Sequence, residues 1–541
     1  MNQQLRISTL LLVAGLLLTA ACRTTSSNQS SHNITGVFVD IANLHHDPKS
    51  NGDTWDHIWA ADDNLYTFGC DGGGYGYGSK NVNFNCLTGT NWDELVGSSV
   101  NSMSDYGNNG DHLEGNPPVL KKRDWSKLPL GPNWKVTGAD SIDGVFYAFI
   151  AQNWYGNQHA YGGAAVDPHI RQTVNNMSLI KSTDHGRTWS RPEKVNVLQP
   201  MWTNKKFSTA FFFKYGQDGG RTHQDDQNKY VYAISNDGYW DDGSAFYLGR
   251  VLRSKLSKLD ARDWQYYSNG QWTDNLDAAT AVPGLPYGET KSAMGSPIWL
   301  ASLDKYVTVT WYNPGKMNGW YFPDDVIFEF YSADHPWGPW TSIGQQGCNE
   351  FLGDPKKNNK RWYGPTLSPK FIQTNADGSV TAIMLFSGST WENNPSSLYK
   401  YMACPVTFYT QPLPKWRETI NDTAATYSDG WNYTTNHGIG DYQGDVHSTT
   451  NSCAYCDFTF SGEGLEILTE KYSNLGEIKV ILDGETQGNF SLYQDPMPRL
   501  YQVPVYRNLS LAPGQHNVRI INLNNDGTAA VIDGFKVYGH E

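Results

Sequence analysis

An all-β protein is predicted, and three observations predict it. Aromatic residues make up 13% of the 541-residue chain (20 Trp, 32 Tyr, 21 Phe), charged residues only 18%, and Gly numbers 53. That composition suits strands and tight turns better than helices. Apolar and aromatic runs alternate with polar residues, and one unit of this kind recurs between Gly36 and about Pro414. The length calls for more than one domain. With 54 acidic against 41 basic side chains the formal charge is −13, the wrong sign for neutralising phosphates, so nucleic acid is excluded as an expected partner.

The N-terminus reads as an export signal. Arg6 is followed by the apolar run Leu10 to Leu18 and by Thr19-Ala20-Ala21-Cys22. The run is too short to span a bilayer, and a Cys after small residues is the pattern of a lipobox. Residues 1–22 are therefore expected to be a signal peptide with a lipobox, Cys22 the lipidated residue, and 23–35 a flexible tether rich in Ser, Thr, Asn and Gln. The expected location is the outer membrane or cell surface, by a lipid anchor. Export leaves Cys70, Cys86, Cys348, Cys404, Cys453 and Cys456 in an oxidising compartment, which predicts disulfide bonding. Cys453-Ala-Tyr-Cys456 has no second pair beside it and reads as a local disulfide or free thiols, not a metal site.

In the repeat, Leu65, Val145, Val231, Val307 and Val380 mark equivalent strands about 73 to 86 residues apart. Each has a preceding strand: Thr54 to Ala60, Trp134 to Ala139, Phe207 to Phe213, Gly295 to Leu300 and Gly364 to Ile372. Short strands grouped in five such units predict a five-bladed β-propeller over residues 36–414. Ser182-Thr-Asp184-His-Gly186-Arg-Thr188-Trp189 is expected to be a structural turn with a packed Trp, and Tyr331 to Trp340 a looser version of it. From Lys415 the pattern changes to alternating strands at Leu465 to Thr469, Ile478 to Leu482, His516 to Ile521 and Ala529 to Tyr538. They predict a jelly-roll β-sandwich over 415–541.

The most acidic and glycine-rich stretch, Asn51 to Gly74, opens the first blade. Asp53 and Asp56 start its inner strand and Asp71 ends the next. Antiparallel strands bring those ends together, towards the axial channel. Asp62 and Asp63 fall at the far turn, where Asp is expected for turn chemistry alone. Two carboxyl groups, one protonated and one ionised, suffice to hydrolyse a glycosidic bond, and Asp53 and Asp71 are the expected pair. Further channel candidates are Asn153 and Trp154 ending a second strand, Glu289 before the fourth blade, and Arg361, Trp362 and Tyr363 before the fifth. The aromatic ones would stack on sugar faces.

Asp53-Thr-Trp55 through Trp59-Ala60, and Asp62-Asp63-Asn-Leu65-Tyr66 to Asp71-Gly72, resemble a bacterial propeller family related to endo-D-arabinanases. Tyr230-Val231-Tyr232 with Tyr247-Leu-Gly-Arg250-Val251, Pro336-Trp337-Gly338-Pro339-Trp340 and Trp362-Tyr363-Gly364-Pro365 extend the resemblance over most of the propeller. It implies five blades, hydrolysis of furanosides and carboxylate catalysis at Asp53 and Asp71. The chain departs from it at Cys70 and in its long loops. Phe460 to Ile467, Val480 to Gly484 and Ile532 to Tyr538 resemble galactose-binding-like modules appended to carbohydrate-active enzymes.

Two other functions fit the residues. A polysaccharide lyase would use Arg361 to neutralise a uronate and His159, with Tyr161, or His223, with Arg221, to take a proton. A glycan-binding lipoprotein would use the channel as a lectin site and release no product. No cofactor is required by the hydrolase chemistry, a structural Ca²⁺ in the channel is compatible with it, and a monomer is expected.

Overall fold

The computed structural model describes residues 33–539 apart from 115–118, 123, 125–131, 155–172, 191–199, 204, 221–227, 239–242, 289–292, 313–325, 348–361, 389–398, 439 and 495–498. The predicted signal, Cys22 and nearly all of the tether lie outside the described residues. Within them strands dominate, helices are single turns such as Arg253–Leu256, and no helix is long and apolar enough to cross a membrane.

The described residues of 36–409 form five large antiparallel sheets and one two-stranded ribbon, His112–Glu114 with Val119–Lys121. The first holds Asp53–Trp59, Leu65–Gly72, Lys80–Thr88 and Val96–Asn101 side by side in chain order. The second holds Asn133–Ile142, Val145–Trp154 and Thr173–Ser182, and the third runs from Ala210–Phe212 through Tyr230–Asn236 to Gln271–Thr273. The fourth pairs Ala293–Met294 and Ile298–Leu300 with Lys305–Tyr312 and continues outward to Thr341–Gly347. In the fifth, Trp362–Leu367, Val380–Gly388 and Tyr401–Tyr409 are joined by the N-terminal strand Gly36–Val39, with Gly36 opposite Tyr409. Pairing the start of the region with its end removes an exposed sheet edge and ties the two together. The repeat positions Leu65, Val145, Val231, Val307 and Val380 fall within the first three residues of the second strands.

The first strands meet in a closed ring. Asp53–Trp59 touches Asn133–Ile142, which touches Ala210–Phe212; Lys214 then bridges in parallel to Ile298, and Ala293–Met294 leads to Trp362–Leu367 and back to Asp53–Trp59. Aromatic rings fill the space between sheets, Phe149 stacking on Phe212 at 4.5 Å and Tyr66 tilting against Phe146 at 4.9 Å. The Ser182 box is such a turn: Asp184 accepts from the Thr188 amide (2.9 Å) and hydroxyl (2.6 Å), and Trp189 packs 5.3 Å from both Phe68 and Phe84.

A buried polar knot ties the ring. Lys214 Nζ lies 2.6 Å from Asp56 Oδ1 and donates to the His57 carbonyl at 2.5 Å, while Ser296 Oγ (2.9 Å) and the Ala139 amide (3.3 Å) donate to Asp56 Oδ2. Four segments of the ring thus converge on one carboxylate. Beside it, burial pushes the Asp140 carboxyl up to about 8, with Lys214 opposing and Asp56 adding to the shift. The folded value exceeds the unfolded one, so stability tied to this proton is complete below about pH 4 and lost as pH rises towards 8. Asp140→Asn mimics the protonated form. In thermal melts it is expected to match the wild type near pH 4 and to exceed it by roughly 3–6 °C above pH 8; an equal difference at both pH values would refute this.

Among the described residues, 415–539 carry no ladder to the first five sheets. Lys415–Asn421, Gly534–Gly539, Gly464–Lys471 and Leu500–Asn508 form one sheet; Thr426–Tyr427, Tyr455–Gly462, Gly514–Asn522, Glu477–Leu482 and Glu485–Ser491 form another; Asn432–Thr435, Asp445–Thr449 and Ala530–Ile532 form a third. Ile41 and Leu44 share one apolar cluster with Ile467 and Val503. The Arg507 guanidinium lies 3.7 Å above the Phe38 ring, and Lys471 Nζ donates to the Ala42 carbonyl.

The disulfide expectation is corrected. Among the described residues Cys70, Cys86, Cys404, Cys453 and Cys456 are all unpaired. Cys456 is fully buried in its strand while Cys453 is exposed in the preceding turn, so their side chains face different environments. Cys348 lies outside the described residues.

Candidate active site

The glycine-rich stretch is a backbone clamp. Asn51 and Gly74 exchange amide–carbonyl bonds at 3.0 and 2.9 Å, and the Gly73 amide donates to Asn51 Oδ1 at 3.0 Å. A Cβ on Gly72 would collide with the Asn51 carbonyl and the Gly52 Cα, and Gly52 itself has φ +134°, so no other residue fits the crossing. Below it the buried Asn83 donates to the Gly72 carbonyl (3.0 Å), and Asn85 donates to Asn83 Oδ1 (2.6 Å). The clamp sets Asp53 opposite Cys70 and hence beside Asp71, with a bulge between Asp53 and Asp56. Thr54 (φ 57°) and Asp71 (φ 52°) are both left-handed. Such strain costs of order 1–3 kcal/mol per residue and concentrates at functional sites.

The two carboxyl groups are held differently. Asp53 is buried; Tyr363 Oη donates to its Oδ2 at 2.8 Å. Burial pushes its carboxyl up to about 6; Asp71 adds to the shift, while the Lys135 ammonium and the Tyr363 and Tyr399 phenols oppose it. Both phenols are raised well above their ordinary value by burial, and beyond that chiefly by the Asp53 charge, so they remain donors. Asp71 Oδ2 is ion-paired with the buried Lys135 Nζ. The remaining oxygens, Asp53 Oδ1 and Asp71 Oδ1, accept no hydrogen bond from any described residue. Each carboxyl therefore has one oxygen tied and one open. The Lys135 ammonium supplies here the countercharge that a cation would otherwise bring.

Next to this pair is a small cavity of about 40 Å³ lined by Thr54, Val136, Phe211, Trp311 and Tyr363, one from each of the five large sheets of the first half. Tyr363 both lines the cavity and holds Asp53.

The other candidates separate. Asp56 is consumed by the Lys214 knot rather than offered to a ligand. Tyr363 faces Asp53, but its neighbour Trp362 is buried on the opposite face, edge-on to Phe386 at 5.3 Å, as side-chain alternation along a strand requires. Trp362 is thus a core residue, not a sugar platform. Asn153 is fully buried opposite Asn133 in the second sheet. The side chain of Trp154 and the whole of His159, His223, Glu289 and Arg361 lie outside the described residues. Asp62 and Asp63 serve the turn: Asp62 accepts from Asn64 and Tyr66, and Asp63 from Trp59. Sequence reasoning missed Lys135, Tyr399 and the Asn51, Asn83 and Asn85 supports. A lysine inside the otherwise uncharged strand Trp134 to Ala139 was the one signal available.

No family model and no curated protein matches the chain. Among solved structures it is similar to an exo-β-1,3-galactanase from Phanerochaete chrysosporium, at 11% identity over 93% of this chain and 100% of that one with a TM-score of 0.36. It is also similar to a GH32 β-fructofuranosidase, BmSUC1, from Bombyx mori, at 10% identity over 92% and 93% with a TM-score of 0.36. A further likeness is to a glycoside hydrolase at 10% identity over 91% and 100% with a TM-score of 0.33. Likenesses this loose carry no argument for an activity, which has to rest on the site's own residues.

Proposed function

We propose that the chain is a glycoside hydrolase that cleaves an extracellular polysaccharide with furanoside linkages. Its five sheets are the blades of a β-propeller, and residues 415–541 are a jelly-roll sandwich of the galactose-binding type that braces it. The observation that carries the reading is the pair of unlike carboxyls behind the cavity-lining Thr54 and Tyr363, each with one oxygen that accepts no hydrogen bond from a described residue. Asp53, whose proton is held to about pH 6, protonates the leaving-group oxygen. Asp71, paired with Lys135, supplies the negative charge opposite the oxocarbenium-like transition state, as nucleophile or as the base for a water. The protein acts as a monomer, exported and anchored through Cys22.

The lyase alternative draws on His159, His223 and Arg361, outside the described residues. The histidine that lies in the ring, His57, has Nδ1 2.8 Å from Ser368 Oγ and Nε2 3.0 Å from Tyr401 Oη, and burial holds its charged form well below the usual range. Both nitrogens are occupied, so it is no proton acceptor for a substrate.

Incubation with arabinan, ulvan and pectic polymers tests the proposal. New reducing ends without the ultraviolet absorbance of an unsaturated uronate are expected. Absorbing products would transfer the assignment to the lyase, and retention without any product to the glycan-binding protein.

A further inference from the structure

The second half of the chain holds a group of side chains that the proposed hydrolysis does not use. His437 follows the strand Asn432–Thr435, Asp441 lies in the same loop, and Glu470 comes from the strand Gly464–Lys471. His437 Nδ1 is 2.7 Å from Asp441 Oδ2 and 3.2 Å from Glu470 Oε1, and the three donor atoms all lie within 4.8 Å of one another. The carboxyl groups of Asp441 and Glu470 are completely buried. Asp441 Oδ1 and both oxygens of Glu470 accept no hydrogen bond from any described residue. Arg499 Nη1 reaches Glu470 Oε2 at 3.1 Å, and Asp533, bonded by the amides of Tyr442 (2.7 Å) and Gln502 (3.2 Å), adds a third negative group.

We propose that His437, Asp441 and Glu470 form a binding site for a divalent transition-metal ion of the Zn²⁺ or Mn²⁺ class. With all three carboxyl groups ionised they face one guanidinium with two negative charges in excess, which one divalent ion matches. Metal–ligand bonds of 2.0–2.2 Å put neighbouring donors roughly 3 Å apart, the spacing found between His437 and each carboxylate. An imidazole among the donors favours zinc over calcium and magnesium, which prefer oxygen alone, while the carboxylates also suit manganese. Binding needs an unprotonated Nδ1 and ionised carboxylates: the neutral imidazole carries its proton on Nε2, and a proton held on a carboxyl of the cluster is released to solvent. The ion pins the 436–444 loop to Glu470, whose neighbour Lys471 is bonded to the Ala42 carbonyl of the first half, so it stiffens the sandwich where the two halves meet.

The test uses the full chain after dialysis against a chelator. Mn²⁺ is the probe, because the exposed thiol of Cys453 binds it weakly, and free Mn²⁺ is followed by electron paramagnetic resonance. One equivalent is expected to bind to wild type and to raise its thermal midpoint. His437→Ala, at a partly exposed side chain, and the isosteric Glu470→Gln are each expected to weaken uptake more than about tenfold and abolish the rise, with unchanged circular dichroism. No uptake by wild type, the cluster being closed by a shared proton instead, overturns the proposal. Uptake undiminished in both variants does the same.

Discussion

Asp53→Asn and Asp71→Asn are each expected to lower turnover on polysaccharide by roughly two to four orders of magnitude and to leave the fold intact. The expected loss is large because in the proposed hydrolysis the two carboxyls divide one reaction. An amide at 53 cannot give up a proton to the departing oxygen, and an amide at 71 brings no negative charge to the developing cation. The fold survives for separate reasons. Asn tolerates the left-handed backbone at Asp71 (φ 52°) about as well as Asp does, and at 53 it still accepts from Tyr363 while removing a buried carboxyl. Asp53→Asn is therefore expected to melt no lower than wild type. In wild type, turnover falls as pH rises through about 6, where Asp53 gives up its proton. Near-wild-type rates in both variants would remove the pair from the chemistry altogether.

Lys135→Met gives the second largest effect, a fall in turnover of about a hundredfold together with a loss of stability of a few kcal/mol. The ammonium is buried and ion-paired with Asp71, and removing one member of a buried pair leaves the other charge without compensation. The same ammonium opposes the upward shift of Asp53, so its loss raises that carboxyl further and the alkaline limb of the rate profile moves up from about pH 6. A merely structural lysine would lower stability without moving the limb. An unmoved limb in the folded variant would therefore deny Lys135 its place in the site.

Much of this arrangement is legible in the chain itself, because it depends on local chemistry. Period-two alternation marks the second strands at Leu65, Val145, Val231, Val307 and Val380. The Ser182 to Trp189 spacing marks a turn that closes on its own side chains, and Asn51 to Gly74 stands out as an acidic, glycine-rich stretch at the head of the first unit. Asp53 and Asp71 follow from antiparallel pairing, which puts their strand ends together. Trp362 and Tyr363 show where such reading stops. Both are aromatic, but which of two adjacent residues faces the cavity depends on the register with Val380–Gly388 and on the bulge after Tyr363.

Alternation, turn residues and the acidic glycine-rich stretch are short-range properties, and they determined by themselves the all-β class, the recurring unit, the change of pattern at Lys415 and the placing of Asp53 and Asp71 at adjoining strand ends. Only the tertiary structure decided which charges are spent and which remain. Asp56 and Asp53 stand three residues apart in one strand, yet Lys214, distant in sequence, saturates the first, while a phenol from the fifth sheet and an ammonium from the second leave an open oxygen on each carboxyl of the pair. Closure of the ring, with Gly36–Val39 completing the last sheet, is equally non-local. The reason is physical: solvation and partnering of a buried charge are set by groups that arrive from other parts of the chain, and no local pattern records where they come from.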